Sequence, residues 1–380
     1  MNGTAASRLR TAHTMIEPRS WSVLLVGPLP PPPGGMANQT HQLAVLLAGE
    51  GYRVNVVQVN VAYRPAWVAR LRGVRALFRL LPYVLRLWRA AKAVDLIHVM
   101  ANSGLAWYLF AAPAVWIGWI RNTPVIVNYR GGDADKFFSR QFRWVRPTLM
   151  RASAIIVPSE FLKTVFVKYG VATTLVPNII NLDAFRPATF RPRTPTIIIT
   201  RNLEPIYDVG TAIRAFALVV RNHPDARLTI AGSGPSRVEL EQLARELHVD
   251  DRVYFSGQLD NSVLPDVYRA ASVFVNASLV DNMPISLLEA MASGVPIVST
   301  KVGGVAYLVK DGETAFLVPP KDPEAMAEAI GRVLADTELA SRIAKNALVQ
   351  VEQYAWTQVR EKLLRAYVEA NGIVRRRRMS

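Results

Sequence analysis

Residues 273–300 read VFVNASLVDNMPISLLEAMASGVPIVST, and this stretch decides the fold. Val273–Asn276 is a short apolar, β-branched run. A turn with Asp281, Asn282 and Pro284 follows, then a helix-length segment closed by Gly294, then a second apolar run, Val295–Ser299. Strands that are apolar throughout are covered on both faces, and a helical connection between them makes the pairing parallel. The stretch therefore reads as one βαβ unit. Toward the N-terminus the same alternation recurs at Val253–Ser256, Arg227–Ala231 and Thr196–Thr200. An irregular segment, Leu175–Pro187, and a Pro/Arg-rich linker to Pro195 separate this series from an earlier one. That series comprises Trp21–Val26, Arg53–Val59, Asp95–Met100, Pro124–Tyr129 and Ala154–Pro158. The expectation is an α/β protein of two Rossmann-like, doubly wound domains facing a central cleft. Its chemistry should lie in loops at the carboxyl ends of the strands.

Composition narrows that chemistry. The chain has 380 residues, 51% hydrophobic and 19% charged, enough to bury two cores. It contains no cysteine, which removes disulfides, thiolate metal sites and cysteine nucleophiles. Five histidines without HExxH-like spacing argue against a zinc site. Neither a P-loop nor a complete GxGxxG is present, which disfavours a kinase, an ATPase or a simple NAD enzyme. The N-terminal MNGTAASRLRTAHTMIEPRS lacks a signal-type apolar core and points to the cytoplasm. Residues 104–120, GLAWYLFAAPAVWIGWI, are uncharged but interrupted by Pro113, and read as a buried helix rather than a membrane span.

The net charge of +16 is lopsided. Residues 1–185 hold 21 Lys/Arg against 7 Asp/Glu, whereas residues 186–380 hold 24 against 22. The excess concentrates in Arg64–Lys92. At 100° per residue, Arg72, Arg75, Arg79, Arg86 and Arg89 fall within about a 100° arc. Trp67, Leu71, Val74, Leu77, Phe78, Leu81, Val84, Leu85 and Trp88 fill most of the other side. Pro82 is expected to split the stretch into two helices. Such a segment suits the anionic inner-membrane surface or an anionic, lipid-borne substrate. An ordinary surface helix with a solvated Arg face is the alternative. Nucleic acid is not an expected partner, because the second half is nearly neutral and no reading motif is present.

Three glycine loops follow strands: Gly34-Gly35, Gly232-Ser233-Gly234 and Gly303-Gly304. Each either lets backbone N–H groups approach an anion or serves turn geometry alone. Asp281 and Glu289 stand eight apart around a helix opening. The segment Asn282, Met283, Pro284, Ile285, Ser286 and Leu287 should turn its helix-start N–H groups into the cleft, where a diphosphate is favoured. Glu289, two turns in, suits the vicinal hydroxyls of a ribose. On spacing alone, an N-cap Asp and a solvent-facing Glu fit equally.

The span Ser278–Thr300 resembles the acidic E-x7-E element of glycosyltransferase family 4, whose members are retaining GT-B enzymes. Other matches follow in order. Pro32-Pro-Gly-Gly-Met36 resembles the family's first glycine loop, and Val176–Phe185 (VPNIINLDAF) its interdomain PNGVD segment. Ala226–Pro235 is similar to L-x-I-x-G-x-G-P, and Val253–Gly257, with Phe255, to V-x-F-x-G, beside which the nucleotide base packs. Tyr354-Ala-Trp356 resembles the start of the final helix, which crosses back to the first domain. The resemblance implies transfer of a sugar from a nucleotide-diphospho-sugar to an acceptor, with no metal and no bound cofactor. It implies Asp281 on the transferred sugar, Glu289 on the ribose, and Gly34 and Gly35 near the diphosphate. Gly232, Gly234, Phe255 and Asn282–Leu287 complete the implied donor-binding set. It also divides the chain into a flexible extension (1–19), an acceptor domain (20–185), a donor domain (186–355), a crossing helix (356–372) and a basic tail (373–380).

Departures from the family pattern matter as much. Its diphosphate-clamping Arg and Lys, in G-R-L-x-x-x-K-G, align with Asn202 and Tyr207 in TRNLEPIYD, with Arg201 one position away. The His that follows its VVxTVHG strand aligns with Arg130 in VIVNYRGGD. Arg130 stays protonated and so is no base, but it carries phosphate-directed charge. The expectation is that the catalytic cation has moved from the second domain to the first. His98, in DLIHVM, resembles the family's D-x-x-H; it reads as a structural histidine or, failing that, as a residue of the acceptor side. Asp133-Ala-Asp135 is a D-x-D, the metal signature of the other glycosyltransferase fold. Here Asp133 reads as an acceptor-side or helix-capping residue, and no metal site is expected. The expected protein is a membrane-peripheral retaining glycosyltransferase with a lipid-linked acceptor, acting in polysaccharide or glycolipid assembly. A GT-B binding or scaffold subunit and a soluble small-sugar transferase are the alternatives.

Overall fold

The structure is a computed structural model and describes residues 21–31, 34–61, 75–188 and 194–379. The expected flexible extension at 1–19, Pro32 and Pro33 of the first glycine loop, the first part of the basic segment and the middle of the linker lie outside the described residues.

Two parallel six-stranded sheets form the frame. The first contains β1 (Ser22–Gly27), β2 (Arg53–Gln58), β3 (Leu96–Ala101), β4 (Val125–Tyr129), β5 (Ala154–Val157) and β6 (Thr174–Leu175). Its order is β2-β1-β3-β4-β5-β6. The second contains β7 (Thr196–Ile199), β8 (Arg227–Ala231), β9 (Val253–Gly257), β10 (Val273–Asn276), β11 (Ile297–Thr300) and β12 (Phe316–Val318), in the order β12-β11-β10-β7-β8-β9. Helices α1 (Gly35–Gly49), α2 (Arg75–Ala91), α3 (Ala112–Ile120), α4 (Ala134–Leu149) and α5 (Glu160–Lys168) belong to the first series. To the second belong α6 (Val209–Val219), α7 (Arg237–Glu246), α8 (Leu264–Arg269), α9 (Ile285–Ala292), α10 (Val305–Leu308), α11 (Pro323–Ala335) and α12 (Thr337–Val351). Last comes α13 (Trp356–Met379).

The central strands β1, β3 and β4 are buried along their whole length, which is why they read as unbroken apolar runs. The edge strands β6 and β12 span two and three residues, too short to show any period, and the sequence reading misses both. β11 begins at Ile297 rather than Val295. Gly294, at φ +65°, lets the Val295 N–H return to the Ala290 carbonyl and close α9 first. In each sheet the strand order reverses once, between β1 and β3 and between β10 and β7. Crevices at such points collect the loops from diverging strands.

Three expectations need correction. α2 runs unbroken through Pro82, which lies on its exposed side, where water can take the carbonyl that the missing N–H leaves open. Residues 104–120 hold the expected helix, but not a regular or wholly buried one: a π-helical turn, Trp107–Ala111, leads without a break into α3, Pro113 sits in the first turn, and Trp119 and Ile120 are half exposed. The basic tail is not a separate segment, since α13 remains helical to Met379.

α13 returns to the first sheet. Val359, Leu363, Ala366, Tyr367 and Ala370, spaced as one helical stripe, pack with Val23, Leu25, Leu96, Ile126 and Ile156. Trp356 and Arg360 hold Glu50 at the end of α1, with Nε1–Oε1 at 2.8 Å and Nη1–Oε1 at 3.0 Å.

Candidate functional site

The loops leaving β1, β3, β4, β7 and β10 enclose two adjoining cavities that share Gly35, Arg201, Tyr207 and Ile285. The larger, about 650 Å³, takes in Asn102, Arg130, Lys136, Asn178 and the loop from Val280 to Ile285. The smaller, about 150 Å³, takes in Gly34, Asn202, Gly232, Gln258, Ser286 and Glu289.

The two acids are both at the site and differently held. Asp281 lines the larger cavity, paired with the Arg201 guanidinium. Burial pushes its carboxyl upward, and Arg201 and the Asn282 N–H pull against that. Glu289 lines the smaller cavity and accepts a hydrogen bond from Tyr268 Oη at 2.9 Å. Burial raises its pKa to about 7, opposed by the Tyr268 hydroxyl and by Arg201. Neither acid is the solvent-facing group that spacing alone allowed.

Arg201 is the cation that register in the sequence displaced by one. It lines both cavities, donates from Nε to Asn276 Oδ1 at 3.1 Å, and lies 5.0 Å from the Tyr207 ring centre. The second domain therefore keeps a guanidinium in the cleft even though Asn202 and Tyr207 replace the expected pair. Arg130 faces the larger cavity from the end of β4. Its Nε donates to Asn128 Oδ1 at 3.2 Å and its Nη1 to Asn178 Oδ1 at 2.7 Å. Burial draws its pKa down to about 10, which leaves it charged at neutral pH.

Not every nominated residue faces the cleft. Leu287 is fully buried beside Leu288 in the core under α9, and its N–H is spent on the Pro284 carbonyl. The Asn282 N–H is likewise taken, by Asp281 Oδ1 at 2.9 Å, and its side-chain oxygen accepts from Ser159 of the first domain. Met283, Pro284 and Ile285 line the larger cavity, and Ile285 and Ser286 the smaller. Ser286 Oγ is buried without a hydrogen-bond partner among the described residues. Phe255 lines neither cavity: it packs in the second core with Arg237 over its ring, and the neighbouring Gln258 and Leu259 reach the site instead.

The glycines do two jobs. Gly34 and Gly35 open α1 at the cleft, with space where a Cβ would stand. Gly232 and Gly234 are packed against the Arg201–Leu203 backbone, where a Cβ would fall 1.8 Å from the Arg201 oxygen and 2.3 Å from the Leu203 oxygen. Gly232 still edges the smaller cavity, whereas Gly234 lines neither. Gly303 and Gly304 likewise support the acidic loop from behind. A Cβ on Gly304 would stand 1.6 Å from the Asn282 oxygen, and the Gly304 N–H donates to the Asp281 carbonyl at 2.9 Å.

His98 is not an acceptor-side group. It is fully buried beneath the cavity, with Nδ1 2.9 Å from Tyr367 Oη and Nε2 3.1 Å from Asn128 Nδ2. Burial and the Arg130 charge hold its pKa down to about 3, so the ring is neutral. Asp133 lines the larger cavity, and its carboxylate makes no capping bond. Asp135 turns away to Lys168, 2.7 Å distant, so the two aspartates do not converge. No group of three or more His, Asp or Glu able to hold a metal occurs among the described residues. Asn178, which sequence motifs flagged only as part of an interdomain segment, ties the site together: its Nδ2 donates to the Met283 carbonyl at 2.8 Å.

Comparison with known proteins gives the class. The family model for glycosyl transferases group 1 matches residues 183–350, and that for Glycosyltransferase Family 4 matches residues 33–184. The chain belongs to glycosyltransferase family 4 and has the GT-B fold. It is 36% identical over 156 residues to an uncharacterised glycosyltransferase of Methanocaldococcus jannaschii, covering 41% of this chain and 40% of that one. It is 32% identical over 196 residues to the D-inositol 3-phosphate glycosyltransferase of Streptomyces scabiei, covering 47% and 44%. The alignments thus span less than half the length of these curated relatives. The Anabaena protein HepE, solved with UDP and glucose, superposes with a TM-score of 0.70 over 90% of this chain and 98% of its own, at 19% identity. No helix among the described residues is long and apolar enough to cross a membrane.

Proposed function

We propose that the chain transfers a sugar from a nucleotide-diphospho-sugar to an acceptor, with retention of configuration and without a metal ion. The observation that carries this reading is the meeting of Asp281, Glu289 and Arg201 at two joined cavities, opposite the open Gly34-Gly35 helix start. Glu289 takes the ribose hydroxyls with the carboxylate oxygen that Tyr268 does not occupy. The diphosphate lies between Arg201 and the start of α1, where two sources of positive potential meet. Asp281 receives the hydroxyls of the transferred sugar in the larger cavity. The bond between the anomeric carbon and the phosphate oxygen breaks, and the nucleoside diphosphate leaves with the electron pair. An acceptor hydroxyl bonds to the same carbon and gives its proton to the departing phosphate oxygen. Arg201 and Arg130 stabilise the charge that develops on the leaving oxygens. The UDP and glucose in HepE support a nucleotide-sugar donor, and the inositol phosphate in the name of the Streptomyces relative supports an anionic acceptor.

The protein is further proposed to work on the cytoplasmic surface of an anionic membrane, on a lipid-linked acceptor of polysaccharide or glycolipid assembly. α2 supports this. Tyr83, Leu87 and Ala91 face the core, while Phe78, Leu81, Leu85 and Trp88 form a second, exposed apolar stripe beside Arg86 and Arg89. Arg121 covers Trp88 at 4.4 Å and Arg151 covers Trp116 at 3.9 Å, extending the same mixture across the end of α3.

A thermal-shift panel of nucleoside diphosphates and their sugar conjugates tests the donor assignment. A ligand at about 100 times its Kd adds roughly 2.7 kcal/mol of stability. Binding by at least one member is expected in the wild type, with loss in Glu289→Ala and loss of transfer in Asp281→Asn. A panel without any shift refutes the assignment.

A further inference from the structure

We propose that Lys136 and Arg140 form an anion subsite on the first-domain wall of the larger cavity, and that it takes a phosphate-ester group of the acceptor. The inference rests on the donor and acceptor assignment above and specifies the chemistry of the acceptor. The cavity has four cations among its lining residues, and they are not equivalent. Arg201 is committed to Asp281 and Asn276, and Arg130 to Asn128 and Asn178. The Lys136 ammonium and the Arg140 guanidinium have no ion pair or hydrogen bond with any described residue, although both residues line the cavity. They stand one turn apart on α4, so their charges face the same way and repel, an arrangement that favours a shared anion. Gln141 adds to the same wall. Its Oε1 accepts from Tyr108 at 2.7 Å, which turns the amide N–H groups to other partners. Asp133 on this wall and Glu204 opposite carry negative charge, so the subsite is confined to one turn of helix rather than spread as a general field.

A phosphate ester fits better than a carboxylate, because it offers three oxygens and nearly two charges to an ammonium, a guanidinium and an amide. The same face of α4 continues outward through Arg143 to Trp144, which is largely exposed with Arg143 4.8 Å from its ring centre. A phosphate on a lipid and a phosphate on a soluble alcohol would therefore both reach the turn.

The experiment saturates the protein with whichever nucleoside diphosphate gives the largest thermal shift and then titrates glycerol 1-phosphate calorimetrically, with glycerol as the neutral control. Glycerol phosphate is expected to bind alongside the nucleotide, about tenfold or more weaker in Lys136→Ala/Arg140→Ala and little changed in Lys136→Arg. Both side chains are exposed, so the variants keep the fold, and unchanged nucleotide affinity verifies it. Equal binding in the double variant, or none in the wild type with nucleotide bound, overturns the subsite. Absence of any nucleotide binding overturns the donor assignment instead, and the subsite with it. Displacement of glycerol phosphate by phosphatidic acid in phosphatidylcholine vesicles assigns the group to a lipid, and no displacement assigns it to a soluble ester.

Discussion

Glu289 is poised by its surroundings to change charge near neutrality. Between the ordinary carboxylate range and about 7 the folded chain holds a proton that the unfolded chain has lost. Stability from this group is therefore complete at low pH and falls as pH rises through that window. Glu289→Gln removes the effect, so its melting temperature relative to wild type should rise between about pH 5 and about pH 8. Donor affinity should run the other way, since the charged carboxylate accepts more strongly from the ribose hydroxyls than its protonated form does. It should increase through about pH 7 in wild type and be flat in Glu289→Gln, as calorimetry at several pH values would reveal. Asp281 and Glu289 were legible because the whole string Ser278–Thr300 resembles the family's acidic element; their eight-residue spacing alone fitted a capping Asp and a solvent-facing Glu equally well. Arg201 was legible only in part. Its placement depends on how the Arg201–Leu203 backbone packs over Gly232 and Gly234, which no residue count reports. For His98 a structural and an acceptor-side role both stayed open, because a histidine near a strand end looks the same whether it opens to a cleft or closes under it; the structure takes the structural one.

At the scale of elements, the glycine pairs show how burial turns one local pattern into different uses. Gly303-Gly304, for which an anion loop and plain turn geometry were both open, is the backing of the acidic loop. Gly304→Ala drives a methyl into the Asn282 carbonyl, and Gly303 sits at φ +46°, where side chains are strained. Gly304→Ala is expected to destabilise by about 2–4 kcal/mol in denaturant titration and to lose donor binding. A donor affinity within twofold of wild type would contradict that. α2 carries the second lesson. Helical periodicity located its Arg arc, but a one-dimensional pattern does not tell which apolar flank meets the core. Packing under Tyr83 and Leu87 leaves Leu81, Leu85 and Trp88 to solvent. Leu81→Ser, at the most exposed position of the stripe, should reduce co-sedimentation with phosphatidylglycerol vesicles while the melting temperature holds, because little buried area is lost. Equal sedimentation would remove the membrane assignment. The twelve strands divide by length in the same way: long buried ones announce themselves, while β6 and β12 exist only because a neighbouring strand offers them a ladder.

At the scale of the molecule, one hydrogen-bonded chain crosses from the last helix to the acidic loop. Arg130 Nε–H donates to Asn128 Oδ1, and Asn128 Nδ2–H donates to His98 Nε2. That leaves the proton of the neutral ring on Nδ1, directed at Tyr367 Oη. On the other side Arg130 reaches Asn178, and Asn178 reaches the Met283 carbonyl. Tyr367→Phe leaves the His98 N–H buried without an acceptor and should cost about 1–3 kcal/mol in urea unfolding. A value below half of that would mean that His98 finds another partner. None of this was visible in DLIHVM or in the tail sequence, since it joins residues hundreds of positions apart.

The return of α13 to the first sheet also sets an order of assembly. Every strand of the first sheet has been made by Leu175, yet the stripe from Val359 to Ala370 that covers one of its faces follows only after the whole second series of strands and helices. At about 5–20 residues per second, the ribosome leaves that oily surface uncovered for roughly ten to forty seconds. The first sheet is thus made well before the helix that covers it, and a chaperone that shields nascent chains has its natural target there.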